Sequence, residues 1–133
     1  MAPSPLGQAA LKWPPLRYAR RVGSEVAEYK VVDAPGNERF EIRAGDEVIG
    51  FTQYKRRGHL IALIHTEVSP EDAGKGVASR LISATLDTSR EHGMAVLPFC
   101  PFVRGYIEKH PDEYLDLVPA EFRKDFRLPA GAG

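Results

Sequence analysis

The stretch HTEVSPEDAGKGVASRLI, residues 65–82, joins the end of a predicted strand, a glycine turn and the start of a predicted helix. Gly74 and Gly76 flank Lys75 just before apolar residues begin to recur at helical spacing. A helix start exposes four backbone N–H groups without partners and carries the positive end of the helix dipole. Glycine keeps side chains away from these groups, and lysine adds a cation. The stretch therefore fits a phosphate-binding turn, with a simple tight turn as the alternative.

The chain before this turn has the pattern of antiparallel strands. Four short segments alternate apolar with polar residues or are rich in β-branched and aromatic residues, and turns with glycine or proline separate them. The last segment contains five consecutive apolar residues, 60–64, which is typical of a strand covered on both faces. The four segments are EVAEYKVVD (25–33), ERFEIRA (38–44), EVIGFTQYKR (47–56) and HLIALIHTEV (59–68).

The chain after the turn changes to helical periodicity from Gly76 to about His92, and Gly93 stands where a C-terminal cap belongs. MAVLPF then predicts a short buried strand, CPFVRGYIEKH a second helix, EYLDLV a last short strand or a turn, and PAEFRKDF an amphipathic piece. A strand-helix-strand unit implies parallel pairing of its two strands. We therefore predict an α+β fold: a compact mixed sheet made of an antiparallel four-strand meander, followed by helix, strand and helix.

The totals indicate one ordinary globular domain. The 133 residues include 18 basic and 18 acidic side chains, and this balance gives no reason to expect a nucleic-acid or anionic-membrane partner. No apolar run is long enough to span a membrane. A single cysteine, Cys100, excludes an internal disulfide and fits a reducing compartment, so we expect a cytoplasmic protein. We expect a flexible tail at residues 1–23, one domain at 24–128 and a flexible end at 129–133.

The glycine turn has a counterpart in a known family. Val68 followed by SPEDAGKGVASRLI resembles the acetyl-CoA signature of the GNAT superfamily of N-acetyltransferases, written Arg/Gln-x-x-Gly-x-Gly/Ala. Gly74 and Gly76 match its glycines, whereas Glu71 stands where the signature has arginine or glutamine. The stretches FEIRAGDEVIGFTQYKRRGHLIALIHTEVSPEDAGKGVASRLI and VLPFCPFVRGYIEKHPDEY resemble the short stand-alone N-acetyltransferase-domain subgroup, which lacks the usual first two helices. The resemblance covers about residues 26–118.

The resemblance implies a GNAT-like fold that uses acetyl-CoA as cosubstrate and needs no metal. The pantetheine arm is expected to lie beside the end of the fourth strand and to bind its backbone at about Thr66 to Val68. The fourth and fifth strands splay apart there, and the thioester points into the gap. The pyrophosphate is expected on backbone N–H groups of the turn and helix start, which here are those of Ala73, Gly74, Lys75, Gly76, Val77 and Ala78.

Transfer of an acetyl group to an amine requires a neutral amine, a donor for the developing oxyanion and a proton or stabilising field for the leaving thiolate. His65 and Glu67 share one strand face and are the candidates for the base. Each can equally be a solvated or structural side chain. The N–H group of Val68 can polarise the acetyl oxygen, as the resemblance implies.

Cys100 and Tyr106 are the candidates on the thiol side of the reaction. Cys100 precedes Pro101 at a predicted helix start, which favours a reactive thiol. It can accept the acetyl group or protonate the leaving thiolate, or it can be a small buried apolar residue. The resemblance supports a cysteine near the cofactor at this place. It also suggests Tyr106 as a proton donor, since superfamily members often use a tyrosine on this helix; the alternative is a core tyrosine.

These observations predict an acetyl-CoA-dependent N-acetyltransferase whose acceptor is an amine on a small molecule or a protein. A homodimer stays open, because a chain this small has little room for an elaborate acceptor pocket. The second hypothesis is a CoA-binding or protein-interaction module with little turnover. Glu71 in the turn and the absent first two helices motivate it.

Overall fold

A five-stranded mixed sheet with one long helix against it forms the centre of the fold. The computed structural model describes residues 29–129. The terminal segments predicted at 1–23 and 129–133 lie outside this range, except for Pro129, as do residues 24–28 of the predicted domain. The strands are β1 (Tyr29–Ala34), β2 (Arg39–Ala44), β3 (Glu47–Arg57), β4 (Leu60–Val68) and β5 (Ala95–Pro98).

The order of the strands in the sheet follows their order in the chain. Every neighbouring pair is antiparallel except β4 and β5, which are parallel. The predicted α+β architecture of a meander, a helix, a strand and a helix is therefore confirmed. The helices are α1 (Val77–Glu91), α2 (Pro101–Lys109), α3 (Pro111–Tyr114) and α4 (Ala120–Arg123), with 3-10 turns at Pro35–Asn37, Leu115–Leu117 and Lys124–Phe126.

The hydrophobic core joins the inward face of the sheet to α1. Full burial of a valine, leucine, isoleucine or phenylalanine side chain contributes about 1.5–3 kcal/mol to the stability of the fold. Val77, the first residue of α1, is only 1% exposed, so the helix start is fixed against the sheet. No helix among residues 29–129 has the length and apolar content of a membrane span. The buried core residues of β2, β4 and α1 include Phe40, Ile42, Ile61, Leu63, Leu81, Ile82 and Leu86.

The pattern of the five-residue apolar run in β4 predicts coverage on both faces of the strand. The structure shows that this coverage does not extend along the whole run. Ile61 and Leu63 are buried, but the side chain of Ile64 is 39% exposed. The reason is a register shift: Tyr54 of β3 pairs with Leu63, while Gln53 pairs with His65. Ile64 is thus an extra residue in β4, a β-bulge that interrupts the alternation of the two faces.

The segment EYLDLV forms neither a strand nor a simple turn, which corrects the prediction. It lies in α3 and the following 3-10 turn, because contacts with α1 hold it in place. Tyr114 donates its hydroxyl hydrogen to Asp87 Oδ1 at 2.9 Å. Arg90 donates to both carboxylate oxygens of Asp116, at 2.8 and 3.0 Å, and to the carbonyl of Glu113. These contacts depend on the tertiary fold, so the local sequence pattern does not reveal them.

The face of β2 opposite its core residues carries a clamped carboxylate. The Glu41 side chain is 3% exposed and lies between Arg39 and Arg43, with nitrogen–oxygen distances of 2.8 and 2.6 Å. Burial acts to raise the pKa of Glu41, but the hydrogen bonds from Arg43 and Arg39 outweigh it and hold that pKa below its ordinary value. The Arg39 guanidinium also lies 4.6 Å from the centre of the Phe51 ring.

Candidate active site

The turn before α1 leaves the start of the helix open. Gly74 and Gly76 have φ angles of +86° and +77°, a backbone conformation that favours glycine. A Cβ atom built on either would meet no atom within 4 Å. Gly76 is the N-cap, and no side chain of the described residues caps the helix. The first backbone bond of α1 runs from the Arg80 N–H to the Gly76 carbonyl, so the N–H groups before Arg80 have no acceptor within the helix.

The charged residues of this turn differ in burial. Asp72 is 1% exposed, whereas the Lys75 side chain is 59% exposed and its Nζ lies 3.9 Å from Asp72 Oδ1. Glu71 is exposed, and its backbone N–H donates to Ser69 Oγ at 3.3 Å. The open helix start therefore has one accessible cation in Lys75. It also has a carboxylate, Glu71, at the position where the signature has arginine or glutamine.

A wedge opens between β4 and β5 at the same end of the sheet. Their parallel pairing ends with Leu63 opposite Pro98, and the Cys100 N–H then donates to the Leu63 carbonyl at 2.9 Å. From there β4 continues to Val68, while the chain after Cys100 turns into α2. β4 thus extends past the end of β5, at the place where the resemblance implies a splay of the two strands. Ligands of open sheets containing parallel strands bind at such strand ends.

A hydroxyl–hydroxyl–thiol cluster lies at this splay. Cys100 is 4% exposed, and its Sγ lies 3.4 Å from Thr66 Oγ1, to which it can donate. Thr66 Oγ1 lies 2.9 Å from the Oγ1 of Thr52, which is fully buried. Cys100 is also the N-cap of α2, as its position before Pro101 predicts. Sequence reasoning missed Thr52, although its hydroxyl on the apolar face of a predicted strand is a signal for a buried polar contact.

The two predicted bases form a pair of their own. His65 Nε2 lies 2.9 Å from Glu67 Oε2, and their side chains are 51% and 41% exposed. Phe51 flanks His65 with ring centres 6.3 Å apart. Thr66 stands between them in the strand, so its side chain points to the opposite face. The structure therefore brings His65 to Glu67 and Cys100 to Thr66, but it places these two pairs on opposite faces of β4.

Val68 is the last residue of β4 and pairs with Gly50 of β3. A Cβ on Gly50 would lie 3.0 Å from the Glu67 carbonyl oxygen, so glycine lets β3 approach this end of β4 closely. The next residue, Ser69, donates its N–H to the Ile49 carbonyl at 2.8 Å. The backbone beside the wedge is thereby held to the sheet on its β3 side, while its pairing with β5 has already ended at Leu63.

Tyr106 lies farther along α2, six residues after Cys100, or about 9 Å along a helix axis. Its ring is half-buried, with its centre 4.3 Å from the His110 ring and 5.9 Å from the Tyr114 ring. Burial, together with the hydrogen bond to Asp87, raises the pKa of Tyr114 to about 12. The described ring contacts of Tyr106 thus join it to this aromatic group, and its role as proton donor stays a prediction.

The sequence profile of the GCN5-related N-acetyltransferase family matches residues 39–117, more than half of the chain. The match includes the helix start, the wedge and the ring group of Tyr106, His110 and Tyr114.

Several solved structures also resemble the chain. A GCN5-like protein from Staphylococcus aureus is 25% identical, with a TM-score of 0.52 over 67% of this chain and 86% of that one. Ard1 from Thermoplasma volcanium is 23% identical, with a TM-score of 0.41 over 48% of this chain and 44% of that one. A ribosomal-protein-alanine N-acetyltransferase from Brucella melitensis is 20% identical, with a TM-score of 0.42 over 60% and 59%. The chain therefore spans less than two thirds of the last two proteins.

Proposed function

The chain belongs to the GCN5-related N-acetyltransferase family, and from this premise we propose that it transfers the acetyl group of acetyl-CoA to an amine. One observation supports this proposal above the others: the uncapped start of α1 opens at the same end of the sheet as the wedge between β4 and β5. A ligand with a diphosphate and a long thiol arm fits such an arrangement. We also infer that residues 24–128 form one unit for this activity.

The backbone of the turn would hold the diphosphate. The N–H groups of Ala73, Gly74 and residues 76–78, with the positive end of the α1 dipole, would attract an anion with several oxygens. The Lys75 N–H already donates to the Asp72 carbonyl at 3.3 Å, so Lys75 would contribute through its side chain. Lys75 adds an exposed cation, and the glycines leave the approach free of side chains. Thr66 to Val68 would hold the pantetheine arm with the backbone groups of β4 that face the wedge. Acetyl-CoA supplies an activated acetyl thioester at this place.

The exposed pair on β4 would prepare the acceptor. Amines are protonated near neutral pH, so a group must take one proton before the nitrogen can attack. His65, hydrogen-bonded to Glu67, can take that proton directly or through water, and the carboxylate stabilises the imidazolium that results. The N–H of Val68 would polarise the acetyl oxygen. The amine nitrogen must reach the acetyl carbon beside the wedge, so water would carry its proton from there to His65 on the other face of β4.

Two measurements test this function. Acetyl-CoA should raise the melting temperature of the protein, because a ligand held by the native state alone stabilises it. Release of free CoA thiol with a panel of small amines and amino-terminal peptides should then show turnover. Binding followed by thiol release in the presence of at least one amine supports the transferase. Absence of any melting shift at millimolar acetyl-CoA overturns it.

The separation of the two pairs across β4 favours a second candidate, a CoA-binding module with little turnover. The Glu71 carboxylate in the turn also favours this second candidate, since its negative charge repels a bound diphosphate. Such a module gives a melting shift with acetyl-CoA but no amine-dependent thiol release across the whole panel. The same pair of measurements therefore separates the two candidates.

A further inference from the structure

Thr52, Thr66 and Cys100 come from three separate places in the chain and meet at the wedge. Thr52 and Thr66 are directly paired residues of β3 and β4. Their hydroxyl oxygens are 2.9 Å apart, and Cys100 Sγ lies 3.4 Å from the nearer one. A buried hydroxyl is costly unless it is hydrogen-bonded, and valine would fill the same volume without that cost. The two hydroxyl groups therefore suggest a purpose beyond packing.

The main chain around the sulfur is already fixed. The Cys100 N–H is bonded to the Leu63 carbonyl, and its own carbonyl accepts from the Arg104 N–H at 3.0 Å. The sulfur is left with one freedom, rotation about the Cα–Cβ bond. The contact with Thr66 selects one rotamer, and Thr52 in turn holds the Thr66 hydroxyl. The hydrogen-bonded series of Thr52, Thr66 and Cys100 thus determines where the sulfur lies at the wedge.

The hydroxyl pair can also adapt to the protonation of the sulfur. A hydroxyl both donates and accepts, and either oxygen of this pair can be the donor. With the thiol protonated, Thr66 accepts from Cys100 and donates to Thr52. Once the thiol proton has left for the departing CoA sulfur, Thr66 donates to the Cys100 thiolate and Thr52 donates to Thr66. Only hydrogen atoms move, so the heavy atoms keep their places.

We propose that Thr52 and Thr66 are positioning residues that hold the Cys100 sulfur at the wedge and stabilise it when its proton has left. The proposal deepens the function inferred above and rests on it, because it assumes that the acetyl thioester lies beside Cys100. Thr66 acts directly on the sulfur, and Thr52 acts through Thr66. The effect of losing the Thr52 hydroxyl should therefore be smaller than that of losing the Thr66 hydroxyl.

The test uses the single cysteine of the chain, since alkylation then reports on one thiol. The rate of modification by iodoacetamide at pH 7.5 is followed by mass spectrometry for Thr66→Val, Thr52→Val and Thr66→Ser. Losing a hydrogen bond to a charged group predicts a rate about tenfold lower for Thr66→Val and about threefold lower for Thr52→Val. Thr66→Ser keeps the hydroxyl and should stay within about twofold of wild type.

Thr85→Val is the matched control. Thr85 is buried in α1, and its hydroxyl donates to the Leu81 carbonyl at 2.9 Å, away from the cysteine. Its alkylation rate should equal that of wild type. An alkylation rate of Thr66→Val equal to that of wild type would overturn the proposal. If Thr66→Val does not fold, as judged by its melting curve, the comparison of Thr52→Val with Thr52→Ser decides in its place.

A turnover measurement separates this proposal from the proposed function. In Thr66→Val, kcat for thiol release should fall more than the affinity for acetyl-CoA, because valine keeps the backbone groups of β4 that would hold the pantetheine arm and leaves the diphosphate site unchanged. An equal kcat for both proteins would contradict the positioning role. If acetyl-CoA does not change the melting temperature of the wild-type protein, the proposed function is wrong. The premise of this inference then fails as well, whatever the alkylation rates show.

Discussion

The two ends of α1 carry glycines of similar backbone conformation, but the backbone closes the helix only at its C-terminal end. Gly76 at the start has φ +77° and Gly93 after the end has φ +69°. At the end, the N–H groups of residues 92–94 bond back to the carbonyls of residues 88–90, which closes the helix. At the start, no side chain of the described residues caps the N–H groups. One end is therefore closed by the protein's own backbone, whereas the other end has no side-chain cap among the described residues and is the proposed diphosphate site.

Alanine at each glycine tests this contrast most strongly. Gly76→Ala and Gly93→Ala should each lose about 1–2 kcal/mol of stability, because alanine is strained at these positive φ angles. Neither new methyl group meets an atom within 4 Å, so the strain is the same kind at both sites. Gly76→Ala alone should lose affinity for acetyl-CoA, by about tenfold or more, since the methyl group lies where the diphosphate would approach.

Isothermal titration with acetyl-CoA measures this difference, and urea unfolding without ligand supplies the stability of both variants. Gly93→Ala is the control for backbone strain in the same helix. Equal affinity losses in both variants, or none in Gly76→Ala, would show that the open helix start is not the diphosphate site.

The second prediction concerns the C-terminal end of α1, where Arg90 holds the following segment through Asp116 and the Glu113 carbonyl. Arg90→Gln takes away the ion pair with Asp116 and the bond to the Glu113 carbonyl, so we expect a loss of about 1 kcal/mol in the free energy of unfolding. The pair is largely exposed, which keeps the value small. Affinity for acetyl-CoA should not change, because this end of α1 lies one helix length from the turn. Arg57→Gln, an exposed change at the end of β3, is the control.

The same variant has a defined pH dependence. The hydrogen bond from Arg90 holds the pKa of Asp116 below its ordinary value, so this group stabilises the fold above its unfolded pKa of about 3.9. The contribution is lost as the pH falls through the folded pKa. The difference between wild type and Arg90→Gln should therefore be full at pH 7 and shrink below about pH 4. Urea unfolding at pH 7 and pH 3 checks it; a difference that grows on acidification would contradict the assignment.

The parts that could be predicted from sequence are those set by local pattern. The meander, the limits of α1 and the cap at Gly93 follow from periodicity and from glycines between elements. The structure has their limits within one or two residues, apart from the start of the first strand, which is predicted at residue 25, outside the described residues. The Ile64 bulge could not be predicted, because register depends on the partner strand. For the same reason the sequence did not reveal that Thr52 meets Thr66, since the two residues are 14 positions apart.

The same distinction between local pattern and tertiary contact applies to the predicted site. The turn of Gly74 to Gly76 is contiguous, so one motif indicated it. The candidates for proton transfer lie on separate elements, and only the fold shows that His65 and Cys100 occupy opposite faces of β4. The resemblance alone suggests Tyr106, and its contacts with the His110 and Tyr114 rings depend on the packing of the folded chain.

The smallest expected effect concerns the charge at the open end of α1. Glu71→Gln removes an exposed carboxylate from the turn and should tighten acetyl-CoA binding about two- to threefold, because less repulsion acts on the diphosphate. Glu91→Gln removes one carboxylate from the closed end and changes the net charge equally, yet it should leave affinity unaltered. Titrations at 50 and 500 mM NaCl should show the gain from Glu71→Gln fading at high salt, since mobile ions screen exposed charges. If both glutamine variants tighten binding alike, the carboxylate acts only through total charge, and the two ends of α1 are electrostatically equivalent for this ligand.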